Sequence, residues 1–157
     1  MKIYLILTIL FLVSLANAEI KIENQWKLKQ QLGETSVYLK NDMTLSILDG
    51  GFPKKINITE ANYKVETNKA LDVRKKTLAM LGFANWNVTD MKFSEQNGKK
   101  IVQLLGTYQQ DNVDYEFTEW QVYTGLKFQT LQLENKPGLR SALDEKKYLE
   151  NLVRELK

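Results

Sequence analysis

The chain has 157 residues, with 22 Lys and Arg against 19 Asp and Glu, and neither His nor Cys. A formal net charge of +3 is too small to argue for a nucleic-acid partner or for strong steering to an anionic surface. The absence of His removes the usual general base, the Ser–His and Cys–His nucleophile pairs and nearly all zinc and copper sites, so an enzyme here would run on carboxylates, Lys, Tyr or Ser.

Residues 1–18 read as a cleavable signal peptide. Lys2 supplies the positive start, an apolar run of about 13 residues follows, and Ala16-Asn17-Ala18 gives the small-residue pattern a peptidase accepts. The run is shorter than the roughly 20 apolar residues a spanning helix needs, and no Cys follows it to carry a lipid. The mature chain is expected to begin at Glu19, to span no membrane and to form one domain over residues 19–157. Lys2 is the single charge in the leader, so the remaining 139 residues carry 21 basic and 19 acidic side chains. An exported domain of this size without Cys fits a bacterial periplasm or secretome better than a eukaryotic route, where disulfides are usual. The sequons Asn57-Ile58-Thr59 and Asn87-Val88-Thr89 would matter only on that eukaryotic route.

Trp26 to Leu32 and Ser36 to Leu48 read as strands, the second broken at Lys40-Asn41-Asp42 and carrying Val37, Leu39, Met43, Leu45 and Ile47 at period two. Asp49-Gly50-Gly51-Phe52-Pro53 reads as a loop, and the next segment to Glu66 as irregular, with a short strand near Tyr63. A helix is expected over Asn68–Leu81, capped by Thr67, closed by Gly82, and striped by Ala70, Leu71, Thr77, Leu78 and Leu81 with Arg74 at its border. Four strands follow: Val88–Ser94, Lys100–Gln109, Asp114–Tyr123 and Leu126–Leu133. Their turns at Asn97-Gly98, Asp111-Asn112 and Thr124-Gly125 are short enough to force antiparallel neighbours. A last helix from Ser141 carries Ala142, Leu149, Leu152, Val153 and Leu156 on one stripe. The expected fold class is α+β: a twisted antiparallel sheet with a C-terminal four-strand meander, packed by a central and a C-terminal helix.

This order resembles the PsbP/Mog1-like α/β sandwich families, which include exported bacterial members. The resemblance rests on the central helix and Gly106-Thr107-Tyr108 on a strand. It continues through the aromatic hairpin Tyr115-Glu116-Phe117-Thr118-Glu119-Trp120 with Leu126-Lys127-Phe128, and the closing Leu152-Val153-Arg154-Glu155-Leu156. It implies a non-enzymatic accessory, chaperone or assembly role through protein partners, and it transfers no site.

The polar residues worth weighing are few. Asp111, Asp114, Glu116 and Glu119 form the densest acidic stretch, but the spacing is not that of a calcium loop, and alternation turns Glu119 away from Asp114 and Glu116. Glu119 shares a face with Tyr115, Phe117, Gln121 and Tyr123, where desolvation would raise its pKa; Lys127 or Arg74 would instead pair it. Trp120 falls on the opposite face, so both faces of this strand carry large apolar groups. Tyr115, Phe117, Glu119, Trp120 and Tyr123 are accordingly the candidate ligand or partner surface, against the alternative of a strand covered by helices. The basic clusters Lys54-Lys55, Arg74-Lys75-Lys76, Lys99-Lys100 and Lys146-Lys147 would touch lipid head groups or a wall polymer only if the fold gathered them. No nucleophile elbow or phosphate-cradling glycine loop occurs, and neither a cofactor nor a metal is expected. The leading expectation is an exported, soluble binding or accessory domain for an envelope protein. A carrier of an apolar or lipid ligand comes second, and a carboxylate-based hydrolase third.

Overall fold

The computed structural model describes residues 22, 25–51 and 57–155. The leader, the Lys54-Lys55 pair and Leu156 lie outside the described residues. Seven strands and two helices are present among them. In chain order they are β1 (Lys27–Leu32), β2 (Thr35–Lys40), β3 (Met43–Gly51), α1 (Tyr63–Met80), β4 (Ala84–Gln96), β5 (Lys99–Gln110), β6 (Val113–Thr124), β7 (Lys127–Asn135) and α2 (Ser141–Glu155). The strands form one antiparallel sheet in the order β1-β2-β3-β7-β6-β5-β4.

Local chemistry explains the hairpins. Asn97 and Gly98, then Asp111 and Asn112, all adopt positive φ between 51° and 74°, the backbone a two-residue turn needs to match strand twist. The meander therefore assembles from neighbours. The join between β3 and β7 is different, because it pairs Met43 with Asn135 and Gly51 with Lys127 across the whole intervening chain. Asp49, Gly50 and Gly51 lie inside β3 in this pairing, which corrects the expectation of a loop there. A glycine fits at position 50 because the ring of Phe128 covers it, 2.4 Å from where a Cβ would stand.

The segment before the central helix is also corrected. Tyr63 opens α1 and is not in a strand, so the helix starts five residues earlier than Asn68, and Asn62 rather than Thr67 stands at its N-cap. Asn62 folds the approach instead of bonding the first turn: its Oδ1 accepts from the Thr59 N–H at 2.7 Å and its Nδ2 donates to the Asn57 carbonyl at 2.9 Å. Thr67 is buried inside the helix, while Ala70 and Leu81 are exposed. The far end behaves as expected. Gly82 takes φ +86°, its N–H reaches the Ala79 carbonyl, and the Phe83 N–H reaches the Leu78 carbonyl at 3.0 Å, a Schellman closure. Nothing crowds a Cβ at Gly82, so Gly82→Ala is expected to cost only its left-handed strain, about 1 kcal/mol. Chemical denaturation of the two forms checks this.

The two helices lie on opposite faces of the sheet. The α2 face gathers Met43, Leu45, Ile47, Ile101, Trp120, Val122, Leu131 and Leu133 beneath Ala142, Leu149 and Val153. Full burial of Leu149 and Val153 contributes roughly 1.5–3 kcal/mol each. Glu145 is buried in the same helical stripe, where Trp26 Nε1 donates to its Oε2 at 3.0 Å and the Lys40 ammonium pairs with its Oε1. This matched pair ties the start of the sheet to the last helix. The α1 face gathers Val102, Leu104, Tyr108, Phe117, Phe83 and Trp86 beneath Leu71 and Leu78. No helix among the described residues is long and apolar enough to cross a membrane.

Candidate functional site

On α1 the residues turned to the sheet follow one another at positions 67, 71, 74 and 78. Three are the buried Thr67, Leu71 and Leu78; the fourth is Arg74, whose side chain is only 16% exposed. A guanidinium placed in a helix stripe needs partners wherever it meets the sheet. Here the sheet supplies them. Arg74 Nη1 donates to Glu119 Oε2 at 2.6 Å, and Nη2 donates to Gln132 Oε1. The guanidinium also lies 5.4 Å over the Trp86 ring, which stacks on Phe117 at 5.5 Å with an interplanar angle of 7°. Cation–π attraction and a flat aromatic seat fix the arginine from its apolar side.

The register explains how these groups meet. Glu119 on β6 stands opposite Gln132 on β7, and Phe117 stands opposite Glu134. Alternation then puts Glu119, Gln132 and Glu134 on the α1 face together. The bonds run on from both ends: Gln121 Nε2 donates to Glu119 Oε1 at 2.7 Å, the Tyr123 hydroxyl donates to Gln121 Oε1 at 2.8 Å, and Gln132 Nε2 donates to Glu134 Oε1. The Tyr108 hydroxyl bonds Glu134 at the other end. Glu119 has 0% exposure. Seven side chains from four elements thus form one polar row, buried at Tyr108, Glu119, Gln132 and Glu134 and part-buried at Arg74, Gln121 and Tyr123.

Among the described residues of the row, two carboxylates face a single guanidinium. Burial pushes Glu134 up to about 7, helped by the negative Glu119; the bonds from Tyr108 and Gln132 and the charge of Arg74 only partly counter this. Burial and the neighbouring carboxylates also push the Tyr108 and Tyr123 hydroxyls above their ordinary range, so both remain neutral donors. Chemically, a carboxyl that titrates near neutrality beside a second acid is able to give and take a proton. Both acids, however, are buried.

The sequence-derived residues are distributed as follows. Tyr115, Phe117, Glu119 and Tyr123 share the α1 face; Tyr115 stacks on Tyr108 at 5.1 Å, and Phe117 and Glu119 are buried. Trp120 is buried on the α2 face, where it floors an open cleft rimmed by Lys92, Gln103, Glu150 and Arg154. Asp111 sits in the β5–β6 turn, and Asp114 accepts from Gln109 Nε2 at 3.1 Å. Of the two cations weighed for Glu119, Arg74 reaches it; Lys127 stands opposite Thr124, whose parity is that of the α2 face. Among the described residues the basic clusters are not gathered: Arg74 lies on the sheet-facing side of α1, Lys99 and Lys100 at the β4–β5 turn, and Lys146 and Lys147 on α2. Among the described residues no group of three or more His, Cys, Asp or Glu could hold a metal ion.

Tyr108 and Trp86 read in the sequence only as aromatics, and Gln132 and Glu134 are not among the expected site residues. The signal for the last two was present, since Gln132 and Glu134 alternate with Leu131 and Leu133, but polar alternation in one strand reads equally as a solvated face.

No family model matches the chain, and no curated protein matches it in sequence. Solved structures match it in shape. Cyanobacterial PsbP (CyanoP) from Synechocystis superposes with a TM-score of 0.62 at 13% identity, over 86% of this chain and 82% of that one. A Pseudomonas aeruginosa protein of unknown function gives a TM-score of 0.48 at 10% identity, over 85% of this chain and 97% of that one. The chain therefore resembles PsbP in fold, as the order of its elements implies.

Proposed function

We propose that the chain is an exported, soluble, non-enzymatic binding or accessory domain that engages a protein partner in the bacterial envelope. The reading is carried by where the molecule keeps its polar chemistry and where it leaves apolar surface. Glu119, the acid on which an enzyme would depend, has both oxygens engaged and is roofed by α1. The outward side of that same helix does the reverse. Val65, Val73 and Met80 are 58%, 58% and 79% exposed, and with Lys69 and Lys76 they recur every three or four residues along one stripe. Such a stripe suits an apolar surface bordered by carboxylates, with the hydrophobic groups giving affinity and the ammonium groups giving register. Export rests on the layout of residues 1–18. An accessory role rests by analogy on the PsbP-like fold, which by itself assigns no function.

The test is capture of the tagged chain from its native envelope after mild crosslinking, in parallel with a Val73→Asp/Met80→Asp variant whose circular dichroism matches wild type. Proteins and extracted lipids are both identified by mass spectrometry, which also reads the mature N-terminus, expected at Glu19. One stoichiometric envelope protein, depleted at least tenfold with the variant, is the expected result. A bound lipid without a protein would replace this reading with the apolar-carrier one. Capture that is undiminished in the variant would remove α1 as the contact, and an empty eluate would move a carboxylate hydrolase to the front.

A further inference from the structure

An open sheet edge presents a row of main-chain donors and acceptors on which another strand can add. Among the described residues β4 is such an edge, with β5 on its inner side and no strand on its outer side. Its register shifts lie at Ala84/Asn87 and Val88/Asp90, so the regular run is residues 90–96. Gln96 and Lys99 flank the two-residue turn, and a flanking pair of this kind exchanges hydrogen bonds across its hairpin. Alternation then turns the main-chain groups of Asp90, Lys92 and Ser94 inward to β5. Those of Met91, Phe93 and Glu95 turn outward.

Met91 has both of its outward groups taken by side chains. Its N–H donates to Asp90 Oδ1 at 2.9 Å, and its carbonyl accepts from the Tyr63 hydroxyl at 3.3 Å. Each of these contacts is braced in turn. Lys92 Nζ stands 3.3 Å from the other oxygen of Asp90, and the Tyr63 ring stacks on Phe93 at 5.5 Å. Tyr63 is the first residue of α1, so the helix fixes the group that covers the carbonyl. Asp90 and Lys92 are exposed, where an ion pair adds little to stability. What the pair does accomplish is to hold a carboxylate against the Met91 N–H.

We propose that Asp90 and Tyr63 guard the β4 edge against strand addition by a second copy of this chain. A second copy fits that edge. Two β4 runs meeting antiparallel about a two-fold axis at Phe93 set Phe93 opposite Phe93, Lys92 opposite Ser94 and Asp90 opposite Gln96, so no like charges meet. In the same register Met91 stands opposite Glu95 on either side of the axis, and both of these outer pairs need the Met91 main-chain groups. With those groups taken, only the central Phe93 pair can exchange its bonds, which is too little to offset the cost of association. The inference is independent of the partner proposed above.

The experiment compares wild type with Asp90→Ala/Tyr63→Phe by sedimentation velocity over a concentration series, with residue-resolved amide exchange on the same samples. Tyr63→Phe keeps the ring on Phe93 and removes only the hydroxyl. The double variant should self-associate at least about tenfold more tightly than wild type, with new protection at the Met91, Phe93 and Glu95 amides. Asp90→Asn removes the same charge but keeps an oxygen that accepts from the Met91 N–H, so it should stay as wild type while Asp90→Ala alone associates more. Three results would each overturn the proposal: a double variant no more associated than wild type, association that leaves these amides unprotected, and equal association by Asp90→Asn and Asp90→Ala. Should the double variant fail to fold, Asp90→Ala alone decides, and self-association unchanged from wild type would refute the guard.

Discussion

Arg74→Ala is expected to cost about 3–5 kcal/mol of unfolding free energy, the range for removing one partner of a buried ion pair. The loss of a hydrogen bond is the lesser part of this. What the change leaves behind is Glu119, fully buried, with its Oε2 unmatched. Trp86 also loses the group lying over its ring, adding roughly 0.5–1 kcal/mol of cation–π attraction and some packing. Two comparisons separate these contributions. Arg74→Met keeps most of the volume and isolates the charge. Arg74→Met combined with Glu119→Gln removes both members of the pair and should recover much of the loss, because replacing a buried pair is far less costly than breaking it. Urea denaturation followed by tryptophan fluorescence measures all four chains. Equal destabilisation by the single and double variants would show that the pair contributes packing alone.

Gly106→Ala is expected to be of similar size for an unrelated reason. Gly106 sits in β5 between Val88 of β4 and Phe117 of β6. An added Cβ would stand 2.3 Å from Phe117 Cζ and 2.4 Å from the Asn87 carbonyl oxygen. The ring has no room to retreat, because its other side is stacked on Trp86, and the carbonyl is main chain. Overpacking of this kind costs about 1–3 kcal/mol, and two immovable neighbours place Gly106→Ala at or above the top of that range. Gly50→Ala is the informative contrast. The three heavy atoms nearest its Cβ would all belong to the far end of the half-buried Phe128 ring and none to the main chain, so a cost below about 1 kcal/mol is expected. Thermal melts of the two variants should therefore differ widely although both place a methyl against a phenyl ring. Phe117→Leu in the Gly106→Ala background should restore only part of the stability, since the Asn87 carbonyl remains in the way.

The parts of the fold that could be read from the sequence are the parts governed by near neighbours. Asn97-Gly98 and Asp111-Asn112 announce their hairpins through backbone preference alone, and alternation then separates Phe117 from Trp120. Gly82 ends α1 where its conformational freedom says it should. The errors fall where distant chain decides. Gly50 and Gly51 carry a loop signal, and only pairing with Phe128 and Lys127 draws them into β3. Tyr63 looks like a strand residue until it is seen closing over β4, where its ring stacks on Phe93 at 5.5 Å.

The polar row was half legible for the same reason. Glu119 stood out because it interrupts an aromatic face, and Arg74 was one of two cations within conceivable reach. Glu134 did not stand out, because its burial is set by tertiary packing, which no local pattern encodes. Two polar residues alternating in a strand describe a wet surface in most sheets. Here they face the single arginine of a helix stripe.

The β3–β7 pairing has a consequence for the order in which the molecule can come into being. Whatever delivers this chain from its N-terminus, a ribosome or a pore, releases β1 to β3 first. Their three-strand piece has a central edge with no partner until residues 127–135 arrive. In between, α1 and three further strands must emerge, and α2, with the Glu145 that Trp26 and Lys40 await, comes last of all. Non-local closures of this kind fold slowly compared with local ones. The finished sheet is thus withheld until nearly the entire length is free, and a partly delivered chain stays open enough to be threaded. The edge of β3 is the place where a holding factor would act during that interval.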